Sequence, residues 1–353
     1  MTDAYLNGIA TAVPPHDVNT AFLNFAKSKL NGHAPVFDRM AQKSGIEHRY
    51  SFLEPSTDQG QAAIDHERFY IRGAFPSTAQ RMRYFERRAP ELASSAVDRL
   101  LFGRRRDNIS HLIVTCCTGF SAPGLDLDIL ERCGLSTSAE RTLIGFMGCY
   151  AAINALKLAR HIVRSEPLAS VLVVNLELCT LHLQETSELE KILSFLLWGD
   201  GCAAALVTAE PTGFSLDGFH AVVVPGTPEL ITWQVRDQGF DMVLSGQVPG
   251  AIQGALALNM HEILGQTPLK EISLWAVHPG GKSVLDAVER GLGLQSSMLS
   301  ASRDVLRAFG NMSSATVMFV LERLMKMAGR RAQGLAMSFG PGLVAETMRF
   351  RTG

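Results

Sequence analysis

The feature that most constrains the fold of this chain is an internal repeat. The segment Ile109-Ser-His-Leu-Ile-Val-Thr-Cys116 reads as a strand running into Cys117-Thr-Gly119, and Ile272-Ser-Leu-Trp-Ala-Val-His278 as a strand running into Pro279-Gly-Gly281. The step from Cys116 to Cys149 is 149 − 116 = 33 residues, and that from His278 to Asn311 is 311 − 278 = 33. Each second member follows a glycine (Gly148, Gly310) and opens an apolar stretch rich in small residues, Ala151–Ala159 in one case and Ser313–Leu321 in the other. Two such strand-loop-helix units fold as copies about a pseudo-two-fold axis. The axis draws Cys149, His278 and Asn311 together across 129 and 33 residues of sequence.

Composition agrees with a layered globular protein. Of 353 residues, 46% are apolar and 19% charged, enough to bury a large core and incompatible with a solvated tail. Lys+Arg 33 against Asp+Glu 34 leaves a formal charge of −1, which lacks the excess that non-specific nucleic-acid binding requires. No stretch reaches the ~18 uninterrupted apolar residues of a membrane span, and the start of the chain, with Asp3, has no basic region ahead of an apolar core. A cytoplasmic protein is expected. Cys116, Cys117, Cys133, Cys149, Cys179 and Cys202 are too sparse for a disulfide scaffold and show no CxxC spacing, so thiol chemistry is expected and a metal is not.

Apolar, β-branched runs such as Leu112–Thr115, Val171–Val174 and Ala203–Val207 read as buried strands separated by segments of helical period. That alternation predicts an α/β layered fold. A polar turn at Glu210-Pro-Thr-Gly213 precedes a fresh series of strands from Phe214, which places the boundary between halves 1–212 and 213–353.

Cys149 lies in Gly145-Phe-Met-Gly148-Cys149-Tyr150, between a strand and a helix. The preceding glycine permits a tight turn, and the free N–H groups of the helix end favour thiolate. His278 closes a strand, and Asn311 stands where a helix cap or a side-chain amide donor is equally in place. The arginines Arg81, Arg83, Arg87, Arg88 and Arg104–Arg106 read as solvated helix faces.

Five segments together resemble the type III polyketide synthases, the chalcone synthase-like branch of the thiolase superfamily. They are the Cys149 loop, Leu197-Trp-Gly-Asp-Gly-Cys202 with Ala203–Ala205, Val248-Pro-Gly250, His278-Pro-Gly-Gly281 with Gly310–Thr316, and Ser338-Phe-Gly-Pro-Gly-Leu343. The resemblance implies a duplicated αβαβα sandwich in a homodimer and a Cys-His-Asn triad of Cys149, His278 and Asn311. It implies malonyl-CoA and an acyl-CoA starter as partners, with CoA thioesters as substrates and no further cofactor. Trp198 and Met242 match gate positions that are phenylalanines in the plant enzymes. Cys117, Cys179 and His182 match wall threonines, Ala122 matches a methionine that reaches across the dimer, and Ser313, Phe339, Gly340 and Pro341 complete the pocket. For the CoA phosphates, Lys43, Arg49 and Lys282 are the expected cations, with Gly280 and Gly281 beside them.

The implied activity is iterative decarboxylative condensation on Cys149, followed by closure to a pyrone or phenolic ring. A single-round ketoacyl synthase III usually carries His-Gln-Ala-Asn where this chain has His278-Pro-Gly-Gly281. A papain-like protease would show a Cys-Gly-Ser-Cys-Trp signature, which is absent. A non-enzymatic acyl-CoA-binding protein of the same fold would tolerate loss of the triad, and all three residues are intact.

Overall fold

A computed structural model describes residues 2–30, 33–56, 62–329 and 331–353. The first half runs β1 (Tyr5–Ala12), β2 (His16–Asp17), α1 (Asn19–Lys29), α2 (Ala34–Ser44), β3 (Tyr50–Ser51) and α3 (Thr78–Leu100). It continues through β4 (His111–Cys116), α4 (Leu125–Arg132), β5 (Glu140–Gly145), α5 (Ala151–Ser165), β6 (Val171–Leu178), α6 (Leu189–Phe195) and β7 (Asp200–Thr208). Its strands lie in the order β5-β4-β6-β7-β1, with β4 parallel to β5 and β6, and β7 antiparallel to both neighbours.

The second half runs β8 (Phe214–Val223), the hairpin β9 (Ile231–Arg236) and β10 (Gly239–Leu244), α7 (Val248–Leu264), β11 (Ile272–Val277) and α8 (Lys282–Leu292). It ends with α9 (Ser300–Phe309), α10 (Thr316–Met327), β12 (Gln333–Gly340) and β13 (Val344–Thr352). The order β11-β12-β13-β8, parallel and then twice antiparallel, repeats β4-β6-β7-β1 strand for strand. The two series join where β1 meets β8 antiparallel at Tyr5↔Ser215 and Leu6↔Phe214. One element breaks the symmetry: in the sequence position of β5 the second half has a helix, α9. Arg303-Asp-Val-Leu-Arg-Ala-Phe309 buries Val305 and Leu306 while Arg303 and Arg307 pair with Asp286, Glu289 and Asp304, a helical rather than a strand period.

The middle layer consists of α5 and α10, whose buried residues face strands of both series. Ala151, Ala152, Ala155 and Ala159 let α5 approach both sheets closely, and Val317–Leu321 of α10 are all buried. On the outer faces, α3 covers β1, β6 and β7, and α7 with α8 covers the second series. A capping box between Ser77 and Gln80 starts α3. Fully burying one Leu, Val or Ile is worth ~1.5–3 kcal/mol, so these three apolar layers dominate the stability of the fold. Strand β5 lies at an open sheet edge, where Leu143 and Phe146 are exposed beside Phe120. Among the described residues no helix is long and apolar enough to cross a membrane.

Candidate active site

The repeated units place their chemical groups at the sheet ends that face the axis. Cys149 lies in a short 3₁₀ turn, Gly148–Tyr150, that leads into α5. Gly148 has φ +77°, and a Cβ there would stand 2.2 Å from Pro341 Cδ, so the turn passes directly under the segment after β12. In the second half Gly310 has φ +68°, and a Cβ on it would meet the Leu197 carbonyl oxygen at 2.6 Å. The same backbone device therefore precedes both Cys149 and Asn311.

His278 follows β11 and is tied to β12 by its N–H, which donates to Met337 O at 2.7 Å. The Asn311 Nδ2 donates to Gly280 O at 3.2 Å, and its Oδ1 accepts from Ser313 N at 2.8 Å. Asn311 thus caps the turn at Ser313 and also presents an amide donor. The Cys149 thiol points to Ser313 Oγ at 3.8 Å.

Cys149, His278 and Asn311 line one cavity with Trp198, Met242, Gly280, Phe339 and Gly340, about 360 Å³ with its mouth. A second space of about 320 Å³ lies on the other side of the sulfur, between Cys117, Cys179, Ser313 and Pro341, and shares Cys149, Trp198 and Met242 with the first. Met242 comes from β10, directly across from Trp233 of β9, so the hairpin lays both side chains over the cavity. Beyond Cys179 and Trp198 opens a larger space, about 630 Å³ with its mouth, bounded mainly by apolar side chains such as Phe22, Phe25, Leu53, Ile64 and Phe195.

Electrostatics differ from the sequence expectation at the sulfur. Burial pushes the Cys149 thiol up to about 12, with the Ser313 hydroxyl opposing and the Glu177 carboxylate adding to the rise. Burial therefore favours the thiol over the thiolate at this sulfur, against the contribution of the helix end. Burial also lowers His278 to about 3, so the imidazole is neutral, and neither ring nitrogen has a hydrogen-bond partner among the described residues. A proton passing from sulfur to imidazole would leave the pair with no net charge.

Several expected site residues lie elsewhere. Arg49 is 2% exposed and holds the first half together, with Nε donating to Asn19 Oδ1 at 2.9 Å and Nη1 to Phe195 O at 2.8 Å and Trp198 O at 3.1 Å. Its guanidinium stacks over Phe22 and lines the large apolar space, with Nη2 left without a partner among the described residues. His182 is fully buried behind the cavity wall, stacked 4.0 Å from Phe240, with Nε2 on Thr118 O and Nδ1 accepting from Phe240 N. Arg81 is likewise no solvated residue: it is fully buried, and its guanidinium bonds Pro76 O, Leu183 O and the Tyr70 hydroxyl. Lys43 stands exposed on α2, and Lys282 opens α8 in an ion pair with Asp286 at 3.0 Å.

Sequence reasoning missed Glu177. Its carboxylate, buried in β6, accepts from Ser314 Oγ at 2.6 Å, Thr118 Oγ1 at 2.9 Å and Cys117 N at 2.9 Å. Burial raises it to about 7 despite those bonds. The available signal was a lone acid inside a strand, Val171–Leu178, that is apolar apart from Asn175. Cys117 itself accepts the Gly148 N–H on its sulfur at 3.0 Å, which ties the wall to the turn that carries Cys149.

Comparison with known proteins gives one consistent result. Residues 3–211 match the N-terminal domain of chalcone and stilbene synthases, and residues 218–352 the C-terminal domain. A protein of Mycobacterium tuberculosis described as alpha-pyrone synthesis polyketide synthase-like Pks18 is 34% identical over 99% of this chain and 91% of its own. Among solved structures, PKS-I of the brown alga Ectocarpus siliculosus aligns with a TM-score of 0.90 at 29% identity, covering 100% of this chain and 99% of the other. The 1,3,6,8-tetrahydroxynaphthalene synthase of Streptomyces coelicolor A3(2) aligns at 0.88 and 26%, covering 99% of both chains.

Proposed function

Since the chain belongs to the chalcone and stilbene synthase family and is a type III polyketide synthase, we propose that Cys149, His278 and Asn311 are its catalytic triad and that its starter is a long-chain fatty acyl-CoA. As an acyltransferase of this family it condenses malonyl-CoA iteratively with an acyl-CoA starter and closes the chain to a pyrone or phenolic ring. The shared lining of one cavity by Cys149, His278 and Asn311 supports the following roles. His278 takes the Cys149 proton, the sulfur attacks the thioester carbonyl, and His278 returns the proton to the departing CoA thiolate. Decarboxylation of malonyl-CoA then yields an enolate, whose oxygen is held by the Asn311 amide and the His278 ring N–H. Its carbon attacks the Cys149 thioester, and return of the extended chain to Cys149 permits another round.

The observation that carries the starter assignment is the large apolar space beyond Cys179 and Trp198, continuous in its lining with the cavity around Cys149. Its mainly apolar wall supports a hydrocarbon tail. Trp198 and Met242 narrow the passage and so bias starter size. The exposed edge β5 with Leu143 and Phe146 supports a homodimer, and Lys43 and Lys282 remain the cations for CoA phosphate. Six free, buried cysteines support a reducing, cytoplasmic setting. Mass spectrometry of products from acyl-CoAs of increasing length with malonyl-CoA tests the reading. Long saturated starters should give the highest kcat/KM, and Cys179→Trp should move the preference to short ones by tens of fold. A preference for short or aromatic starters in the unaltered enzyme would refute the starter assignment, and products of one extension only would make it a single-round condensing enzyme.

A further inference from the structure

Trp198 lines all three spaces of the site. The chain has 3 tryptophans, and two place their indole N–H on a carbonyl: Trp233 on Cys117 O at 2.8 Å and Trp275 on Ile272 O at 3.2 Å. The Trp198 Nε1 is buried and has no partner among the described residues. Its backbone is fixed on both sides, since Asn311 N donates to Leu197 O at 2.7 Å, Gly199 N to Asn311 O at 3.0 Å and Arg49 Nη1 to Trp198 O at 3.1 Å. Its ring rests 6.3 Å from that of Trp233. A buried N–H without a partner is costly, and this one belongs to a side chain that lines the spaces of the site, where a ligand atom can complete it. The ring nitrogens of His278, in the same cavity, are open as well, and so is Arg49 Nη2 on the wall of the large apolar space.

We propose that the Trp198 indole N–H donates a hydrogen bond to a ketone oxygen of the chain growing on Cys149, making Trp198 a residue that selects for extended over unextended intermediates. This rests on the fatty acyl reading above. A saturated starter carries one carbonyl, the thioester at the sulfur. Each condensation moves that carbonyl two carbons along the chain, and with the tail in the apolar space the new ketone travels toward the junction that Trp198 occupies. The other side chain shared at that junction is Cys179, whose thiol is a weak hydrogen-bond donor. The indole N–H is the strong donor there. A phenylalanine in its place would keep an aromatic wall and supply no donor.

The test is Trp198→Phe, alongside replacement of Trp198 by benzothienylalanine, which keeps the bicyclic shape and removes only the N–H. Three quantities are measured on each: single-turnover acylation of Cys149 by a saturated acyl-CoA, malonyl-CoA decarboxylation, and the ratio of products extended twice or more to those extended once. In the benzothienylalanine protein, which keeps the bulk of the gate, the extension ratio should fall roughly threefold to tenfold, the range of one net hydrogen bond, and by more than acylation or decarboxylation changes. An unchanged ratio in the benzothienylalanine protein would overturn the inference, as would an equal fall in all three quantities. If the unaltered enzyme gives no extended product from any saturated starter, it is the fatty acyl reading that fails.

Discussion

Replacing Gly148 by alanine perturbs the site at the point where its two halves press together. Two costs add. A non-glycine residue at φ +77° occupies the left-handed region at a penalty of ~1–2 kcal/mol. The new methyl would stand 2.2 Å from Pro341 Cδ and 2.8 Å from Pro341 Cγ, a ring that cannot rotate away, and overpacking of this kind costs a further ~1–3 kcal/mol. At ~2.1 cal/mol/K per residue, a loss of ~3 kcal/mol over 353 residues lowers Tm by about 4 °C. The larger effect should be chemical. Relief of the clash separates the Cys149 turn from Pro341 and the Cys117 sulfur that accepts the Gly148 N–H, so the rate of Cys149 acylation should fall by ~10²-fold, the scale of a 1 Å misplacement. Differential scanning calorimetry and intact-protein mass spectrometry after rapid mixing with acyl-CoA measure the two quantities. A Gly148→Ala protein with unchanged Tm and unchanged acylation would refute the reasoning. Gly310→Ala is the matched comparison: its methyl meets the Leu197 oxygen at 2.6 Å, which displaces Asn311 and should impair decarboxylation more than acylation.

Asn311→Ala should accept a starter on Cys149 but lose malonyl-CoA decarboxylation by ~10²-fold or more, whereas His278→Ala should lose both steps; equal, small effects of Asn311→Ala on every step, measured by adduct mass and CO2 release, would reduce Asn311 to a cap of the Ser313 turn. Glu177 is raised by burial from 4.5 to about 7, so the folded state binds its proton more tightly than the unfolded chain does. Its stabilising effect is complete below pH ~4.5 and is lost as pH rises through about 7, a difference on the order of 3 kcal/mol; Glu177→Gln should flatten Tm between pH 5 and 8, and a profile parallel to that of the unaltered protein would contradict it.

Much of the site was legible because it is written in backbone terms. The 33-residue spacing and the paired glycines reflect one strand-turn-helix geometry used twice, and the structure returns it in β4 with α5 and in β11 with α10. What stayed hidden depends on which side chains meet across long sequence separations. The burial of Arg49 follows from Asn19, Phe195 and Trp198, and nothing in Lys43–Arg49 itself distinguishes it from a surface cation. The withdrawal of His182 depends on Phe240, 58 residues away, whose N–H it accepts. The thiol state of Cys149 was misjudged for a related reason: a helix end is visible in sequence, and the depth at which the sulfur lies is not. The helix α9 in place of a strand departs from the copies that the repeat predicts, although its charged residues recur at helical intervals.

The meeting of β1 and β8 at two residue pairs has a mechanical consequence. Cys149 hangs from one strand series and His278 and Asn311 from the other, so their separation follows the alignment of the two series across that short junction, with Asn311 N on Leu197 O and Ser314 Oγ on Glu177 as further ties. A slip of a fraction of an ångström along that seam leaves every strand and helix intact and still takes the thiol out of reach of the imidazole. The Ala-rich helix α5 and the buried apolar face of α10, packed against both strand series, hold that alignment. Substitutions there that merely soften the packing would be felt first as lost turnover.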